Sequence, residues 1–318
     1  MNVLFVASYN SNHFAPFILE QAEALQRKGC NIEFFGLRGK GILGYLKNLP
    51  RLLKYIKEHN PDVIHAHYGL TGLLANLQRI VPVITTYHGS DINYRRLLPF
   101  SRLSMKLSAW NIFVSDSIMG IAKARERSSL IPCGVNLDTL QLSSRDQARD
   151  RLHWEKDRVL ILFSGAFDCD EKNPELAKQV VDLIVAPDKE LVELKGYSRE
   201  EVTLLFCAAN VLLMTSFSEG SPQVIKEALA CGCPIVSVDV GDVKARVSDV
   251  DGCYVTNSYD PHVIADYLAK SLKFNGKTNG RERIIRDRLD NGFIADSIMG
   301  VYRNVLSTRK LKRKRCVE

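Results

Sequence analysis

The chain has 318 residues, 46% of them hydrophobic and 25% charged. That balance excludes a disordered or fibrous protein and suits two soluble domains of ordinary size. The formal net charge of +7 is uneven: residues 1–150 hold 18 Lys and Arg against 11 Asp and Glu. An anionic partner and a plain solvated surface both remain open on that count.

Residues 3–7 read as a first buried strand with no basic flank before it, which is not the pattern of a signal peptide. The longest apolar runs, such as Val159–Phe163, are strand-length, well short of the roughly 20 residues of a membrane span. A helix is expected near 16–28, a strand over 31–36, a basic helix near 43–59, a strand over 62–65, a helix near 70–79 and strands over 83–86, 111–114 and 130–131. Apolar strands alternating with amphipathic helices predict a parallel, doubly wound α/β sheet. A polar stretch at 138–157 follows, and the pattern restarts. Val159–Phe163 is a strand, with a helix near 174–184, a strand over 190–194, a helix near 199–208 and a strand over Val211–Met214. A helix over 222–231, ended by Gly232, runs into a strand at 234–238. We expect domains over 1–145 and 146–295, and a C-terminal helix over 296–318 that packs back on the first domain and ends in a basic tail. The eight cysteines, including Cys316, show no zinc spacing and fit reduced thiols in a cytoplasmic protein.

The most informative stretch runs from Thr215 to Val236. A buried strand empties into a loop of small residues, Ser218-Glu219-Gly220-Ser221, and a helix begins at Pro222. Free N–H groups and the dipole at a helix start favour an anion. Glu219 stands before the helix and Glu227 within it, so both carboxylates can lie at the carboxyl edge of the sheet, where such folds bind ligands.

Glu219 and Glu227 in this strand–loop–helix setting, with Ala230-Cys231-Gly232-Cys233-Pro234-Ile235-Val236 after them, resemble the family 4 retaining glycosyltransferases. The resemblance implies the GT-B fold, two Rossmann-like domains facing across a cleft, with the acceptor on the first and a nucleotide-sugar donor on the second. It implies that Glu219 contacts the donor sugar, that Glu227 contacts the ribose, and that Gly220, Ser221, Pro222, Gln223 and Val224 line the diphosphate. The run from Val83 to Asp91 resembles the family's strand ending in His-Gly-x-Asp, which makes His88 a catalytic group beside Glu219 and Lys172. The bland alternative for His88 is a loop histidine paired with Asp91. Asn12, His67 and Asp91 fall on the acceptor side. Ile131-Pro132-Cys133-Gly134-Val135 resembles the segment that closes the first domain.

Phe163-Ser164-Gly165-Ala166 and Lys172 resemble the first strand and loop of the donor domain. Gly165 and Lys172 match the family's diphosphate grip, while Ala166 stands where the family has Arg. Two further departures are the first loop, which lacks Gly-Gly, and a strand–helix unit missing before Gly196. No metal or other cofactor is implied. Asp168-Cys169-Asp170 mimics a metal-binding Asp-x-Asp but lies in a loop the resemblance already explains. His65-Ala66-His67 mimics half a zinc site, and one inward and one outward histidine is the simpler expectation. Neither a dinucleotide fingerprint nor a Gly-x-Ser-x-Gly is present.

The function expected is metal-independent, retaining transfer of a sugar from a nucleoside diphosphate to a glycan or lipid-linked acceptor, without nucleic acid as a partner. The alternative is a nucleotide-sugar-binding relative without turnover, motivated by Ala166. Leu46, Leu49, Leu53 and Ile56 recur at helical spacing beside Lys40, Lys47, Arg51, Lys54 and Lys57. With the basic run from Arg309 to Arg315, they suggest a peripheral contact with anionic membrane. An ordinary core helix, split at Pro50, is the rival.

Overall fold

A computed structural model describes residues 1–315, with side chains through residue 309. Cys316 and the side chains of most of the basic tail lie outside the described residues. The chain divides into two compact units, Met1–Gly134 with Asn291–Glu318, and Val135–Asp290. The division falls at 134/135 and 290/291, not at 145/146 and 295/296. Val135 bridges to Asp290, and Val135 and Leu140 are already buried in the second unit's core. The polar stretch at 138–157 is therefore the second unit's own entry, with one helix over Arg145–Leu152 opened by a capping box at Ser144.

The first unit holds strands β1 (Asn2–Ser8), β2 (Asn31–Leu37), β3 (Val63–His67), β4 (Val83–Tyr87), β5 (Trp110–Phe113) and β6 (Ser128–Leu130). They form one parallel sheet in the order β2-β1-β3-β4-β5-β6. Side chains alternate between its faces. Val3 and Phe5 pack with Ile18 and Leu25 of the helix Pro16–Arg27 and with Ile294, Ile298 and Tyr302 of the C-terminal helix Asn291–Arg315. Leu4 and Val6 pack on the other face with Leu52, Ile56 and Leu74. The C-terminal helix thus completes the first unit's core.

The second unit holds β7 (Val159–Phe163), β8 (Lys189–Glu193), β9 (Val211–Met214), β10 (Ile235–Val238) and β11 (Tyr254–Thr256). The order is β11-β10-β9-β7-β8, again parallel. β7, β9 and β10 are almost wholly buried, as strands covered by helices on both faces must be. Only β8 separates the helix Pro174–Asp182 from the helix Arg199–Ala208, in keeping with the short stretch expected before Gly196.

In each sheet the chain leaves its first strand in one direction and later returns to the other side. Such reversals open a crevice at the carboxyl edge where α/β sheets take ligands. The reversals fall between β1 and β3 in the first unit and between β7 and β9 in the second.

Two expectations are corrected. The basic segment is two helices, Gly41–Leu46 and Leu49–His59. The Asn48 side chain donates to the carbonyls of Arg38, Gly44 and Tyr45 and ends the first, and Pro50 sits in the opening turn of the second. The break shifts the buried stripe to Leu52 and Ile56, and Leu46 is exposed. His65 and His67, two residues apart on β3, share one face and stack with centroids 4.7 Å apart. Period-two alternation requires this.

Candidate active site

In the second unit, β7 and β9 deliver their following loops to opposite sides of the reversal. After β7 come Ser164, Gly165 and a short 3₁₀ turn, Asp170–Lys172. After β9 come Thr215, Ser216 and the loop to the helix Gln223–Ala230. The two loops are tied together. The Thr215 hydroxyl donates to the carbonyls of Lys172 and Asn173, at 3.0 and 2.9 Å, and the Phe217 amide donates to Glu171. Lys172 Nζ lies 2.5 Å from Glu219 Oε1, with the side chains 25% and 14% exposed. The two groups expected to grip phosphate and sugar therefore meet at the reversal. Gly165 is required there: a Cβ on it would come within 2.7 Å of Lys172 Cγ.

Glu227 is buried in the helix that follows, and Arg199 Nη2 donates to its Oε1 at 2.7 Å. That leaves a carboxylate charge-compensated by one partner on a neighbouring helix. Pro222 is the residue before the helix and donates no N–H. Of the expected lining residues, Gly220, Ser221, Gln223 and Val224 are the ones that carry amides. Gly232, at φ +68°, ends the helix in the left-handed conformation its sequence predicts.

The loop carrying Glu219 has a support that sequence reasoning did not single out. Ser221 donates to Asp242 Oδ2 at 2.8 Å, Arg246 donates to the same oxygen at 2.9 Å, and Arg283 donates to Asp287 beside it. Gly241, at φ +63°, passes so close to Gly220 that a Cβ would lie 2.7 Å from its carbonyl oxygen. Among the described residues at this edge, Ser164 Oγ, Ser216 Oγ and Asp242 Oδ1 are buried without a hydrogen-bond partner. Orphaned buried polar atoms are rare, and here they border the reversal. Asp168, the first acid of the Asp-Cys-Asp run, is paired with Lys195, which depresses its carboxyl pKa.

At the first unit's carboxyl edge, the Asp91 carboxylate accepts from the amides of Gly69, His88 and Gly89 at 2.9–3.1 Å. Burial pushes its carboxyl up to about 6, with these N–H bonds opposing the rise. Asp91 thus binds the backbone of His88 and not its ring. The ring has its Nε2 3.1 Å from His67 Nδ1 and its Nδ1 3.7 Å from Cys133 Sγ. Tyr68, whose ring packs on His88, has φ 73° and ψ 151°, a region non-glycine residues avoid at a cost of about 1–3 kcal/mol. Such strain clusters at functional sites. Of the acceptor-side residues, Asn12 is exposed after β1, whereas His67 and Asp91 are buried and turn their polar atoms on the protein.

Two family models match the chain, Glycosyltransferase Family 4 over residues 15–139 and Glycosyl transferases group 1 over residues 147–273. The chain belongs to glycosyltransferase family 4. Among the family's curated relatives, a Bacillus subtilis glycosyltransferase named for teichuronic acid biosynthesis is 26% identical over 61% of this chain and 58% of its own length. A D-inositol 3-phosphate glycosyltransferase of Xylanimonas cellulosilytica is 27% identical over 68% of this chain and 64% of its own. The chain therefore spans about three-fifths of the length of these relatives. Sucrose-phosphate synthase from Thermosynechococcus elongatus superposes with a TM-score of 0.80 at 18% identity, covering 97% of this chain and 100% of that one. Anabaena HepE, solved with UDP, gives 0.70 at 16% identity, covering 96% and 100%. These likenesses establish the GT-B fold.

Within that family 4 frame, Arg199, Asp242 and Gly241 touch the candidate residues Glu227, Ser221 and Gly220, and the sequence left them unmarked. A signal was present for Gly241, a glycine directly after a buried strand. Nothing local marks Arg199, whose partner is 28 residues away.

Proposed function

We propose that this chain transfers a sugar from a nucleoside diphosphate sugar to a glycan or lipid-linked acceptor, with retention of anomeric configuration and without a metal ion. The observation that carries the reading is the Lys172–Glu219 pair at the reversal between β7 and β9. In the transfer, the bond between the anomeric carbon and the diphosphate oxygen breaks and its electron pair leaves with the phosphate. A bond to the acceptor oxygen forms, and the acceptor hydroxyl gives its proton to the departing diphosphate oxygen. Lys172 and the amides around Ser221 face the growing charge on the diphosphate, where fixed donors stabilise a transition state most. Glu219 accepts from sugar hydroxyls and Glu227 from the ribose. HepE, a structural neighbour, has been solved with UDP-glucose, which supports a donor of this class.

The acceptor reading includes a membrane. Helix Gly41–Leu46 has no buried residue, and Leu43 is 77% exposed between Lys40 and Lys47. Exposed leucine beside lysines favours an anionic lipid surface. Among the described residues no helix is long and apolar enough to cross a bilayer.

Ala166, which stands where the resemblance implies Arg, favours the rival reading of a donor-binding protein without turnover. A panel of nucleoside diphosphate sugars, read by release of the nucleoside diphosphate with acceptor present, tests the proposal. Release with at least one donor, lost in Lys172→Ala, supports transfer. Tight donor binding with no release supports the rival.

A further inference from the structure

Behind His88 lies a column of imidazoles that the transfer reading leaves without a task. Phe5 on β1, His65 and His67 on β3, and Thr86 and His88 on and after β4 point to one face of the first sheet. The His65 ring is held at both nitrogens, by the Tyr302 hydroxyl at 2.6 Å and the Thr86 hydroxyl at 2.7 Å. His67 stacks between His65 and His88, is fully buried, and faces His88 Nε2 with its Nδ1. Its other nitrogen, Nε2, is buried and meets no hydrogen-bond partner.

The 3.1 Å contact needs one hydrogen between the two rings. Burial holds His67 neutral, so it carries a single N–H. If His88 were the donor, the hydrogen of His67 would sit on the buried, partnerless Nε2. An orphaned buried N–H is the rarer fault than an orphaned acceptor. If His67 is the donor, only a bare ring nitrogen is left over. We propose that His67 is a positioning residue for His88: its Nδ1–H donates to His88 Nε2 and fixes His88 as the Nδ1–H tautomer, with that hydrogen directed at Cys133.

This rests on the reading of His88 as a group of the transfer site. It has a consequence for charge. A second proton on His88 would have to enter at Nε2, where an N–H already points, so the contact opposes protonation of His88. Within the first unit, the titratable groups set around His88 include His67, Tyr68, Cys133 and Asp91, the last on its backbone amide, with His65 and Tyr302 behind His67.

The test is nitrogen-15 NMR of the histidine rings in the full chain between about pH 5.5 and 8, with the His88 signal assigned by His88→Gln. The wild-type protein should show His88 with a lone-pair Nε2 and a hydrogen-bearing Nδ1, constant over that range. His67→Asn, whose amide can donate from the same place, should retain that pattern. His67→Leu should give mixed tautomers and a His88 that titrates near its ordinary value. Turnover in His67→Leu should fall about tenfold from pH 7.5 to 5.5, and in His67→Asn less. A wild-type His88 that carries its hydrogen on Nε2, or that titrates like a solvent histidine, overturns the proposal without any variant. Should no donor be turned over, the transfer reading fails while the nitrogen shifts still decide this one.

Discussion

Lowering the pH from about 7 to 5 acts on buried groups of the first unit in opposite directions. Burial holds the His65 ring at about 3 against an ordinary 6.5, so it remains neutral in the folded chain while the unfolded chain takes up a proton. The stability tied to that neutral ring is complete above pH 6.5 and is lost as the pH falls. At about 1.4 kcal/mol per pH unit, the loss reaches about 2 kcal/mol at pH 5. His67, held well below its ordinary value by burial and by its neighbours His65 and His88, adds a loss of the same sign. Asp91 opposes them. Its carboxyl, lifted to about 6 from 3.8, takes its proton in the folded chain first. It therefore returns about 1.4 kcal/mol between pH 7 and 5. The histidines outweigh it, and the first unit should be less stable at pH 5. His65→Gln should reduce the acid loss by about 2 kcal/mol, and Asp91→Asn should deepen it by about 1.4 kcal/mol. Each unit carries one of the two tryptophans, Trp110 and Trp154. Urea unfolding in a Trp154→Phe background then reports on the first unit alone. An acid loss unchanged by His65→Gln, or made shallower by Asp91→Asn, would refute the reasoning.

Lys172→Ala should weaken nucleoside diphosphate binding by about 10- to 100-fold, the range of a lost charge-assisted contact, and more at low salt than at high salt. An effect confined to the acceptor KM would contradict its assignment. Turnover should survive a chelator, since Lys172 and backbone amides meet the phosphate charge in this account. Activity lost in chelator and restored by manganese would bring Asp168 and Asp170 into the site. Leu43→Ser should reduce co-sedimentation with anionic vesicles and leave donor binding unchanged. Binding indifferent to lipid charge and salt would reject the membrane reading.

The sequence was most legible where one strand is buried on both faces and bounded by polar turns. β7 and β9 match their expected limits residue for residue, and a helix stands over Arg199–Ala208, near which one was expected. β11 was not expected, because its three half-buried residues at a sheet edge carry too short a pattern to stand out. The split that the rival reading put at Pro50 falls two residues earlier, at Asn48, because it depends on one side chain reaching three carbonyls. Lys172, Glu219 and Gly165 could be singled out because each follows a strand in a recognisable setting. The pairs that complete the picture join residues far apart: Arg199 with Glu227, Ser221 with Asp242, and His65 with Tyr302 across 237 positions. No local spacing encodes such partners, so the electrostatic setting of the site had to come from the fold.

The most direct test of the central claim is calorimetric titration of a nucleoside diphosphate into the wild-type chain and into Glu227→Ala. Glu227 is buried, yet its partner Arg199 is 43% exposed and can turn to solvent, so the variant should fold. Binding to the wild-type chain should be measurable, and affinity at least about tenfold weaker in the variant, the loss of a hydrogen bond to a charged acceptor. Equal affinity in a variant that unfolds at the same temperature as the wild-type protein would contradict it.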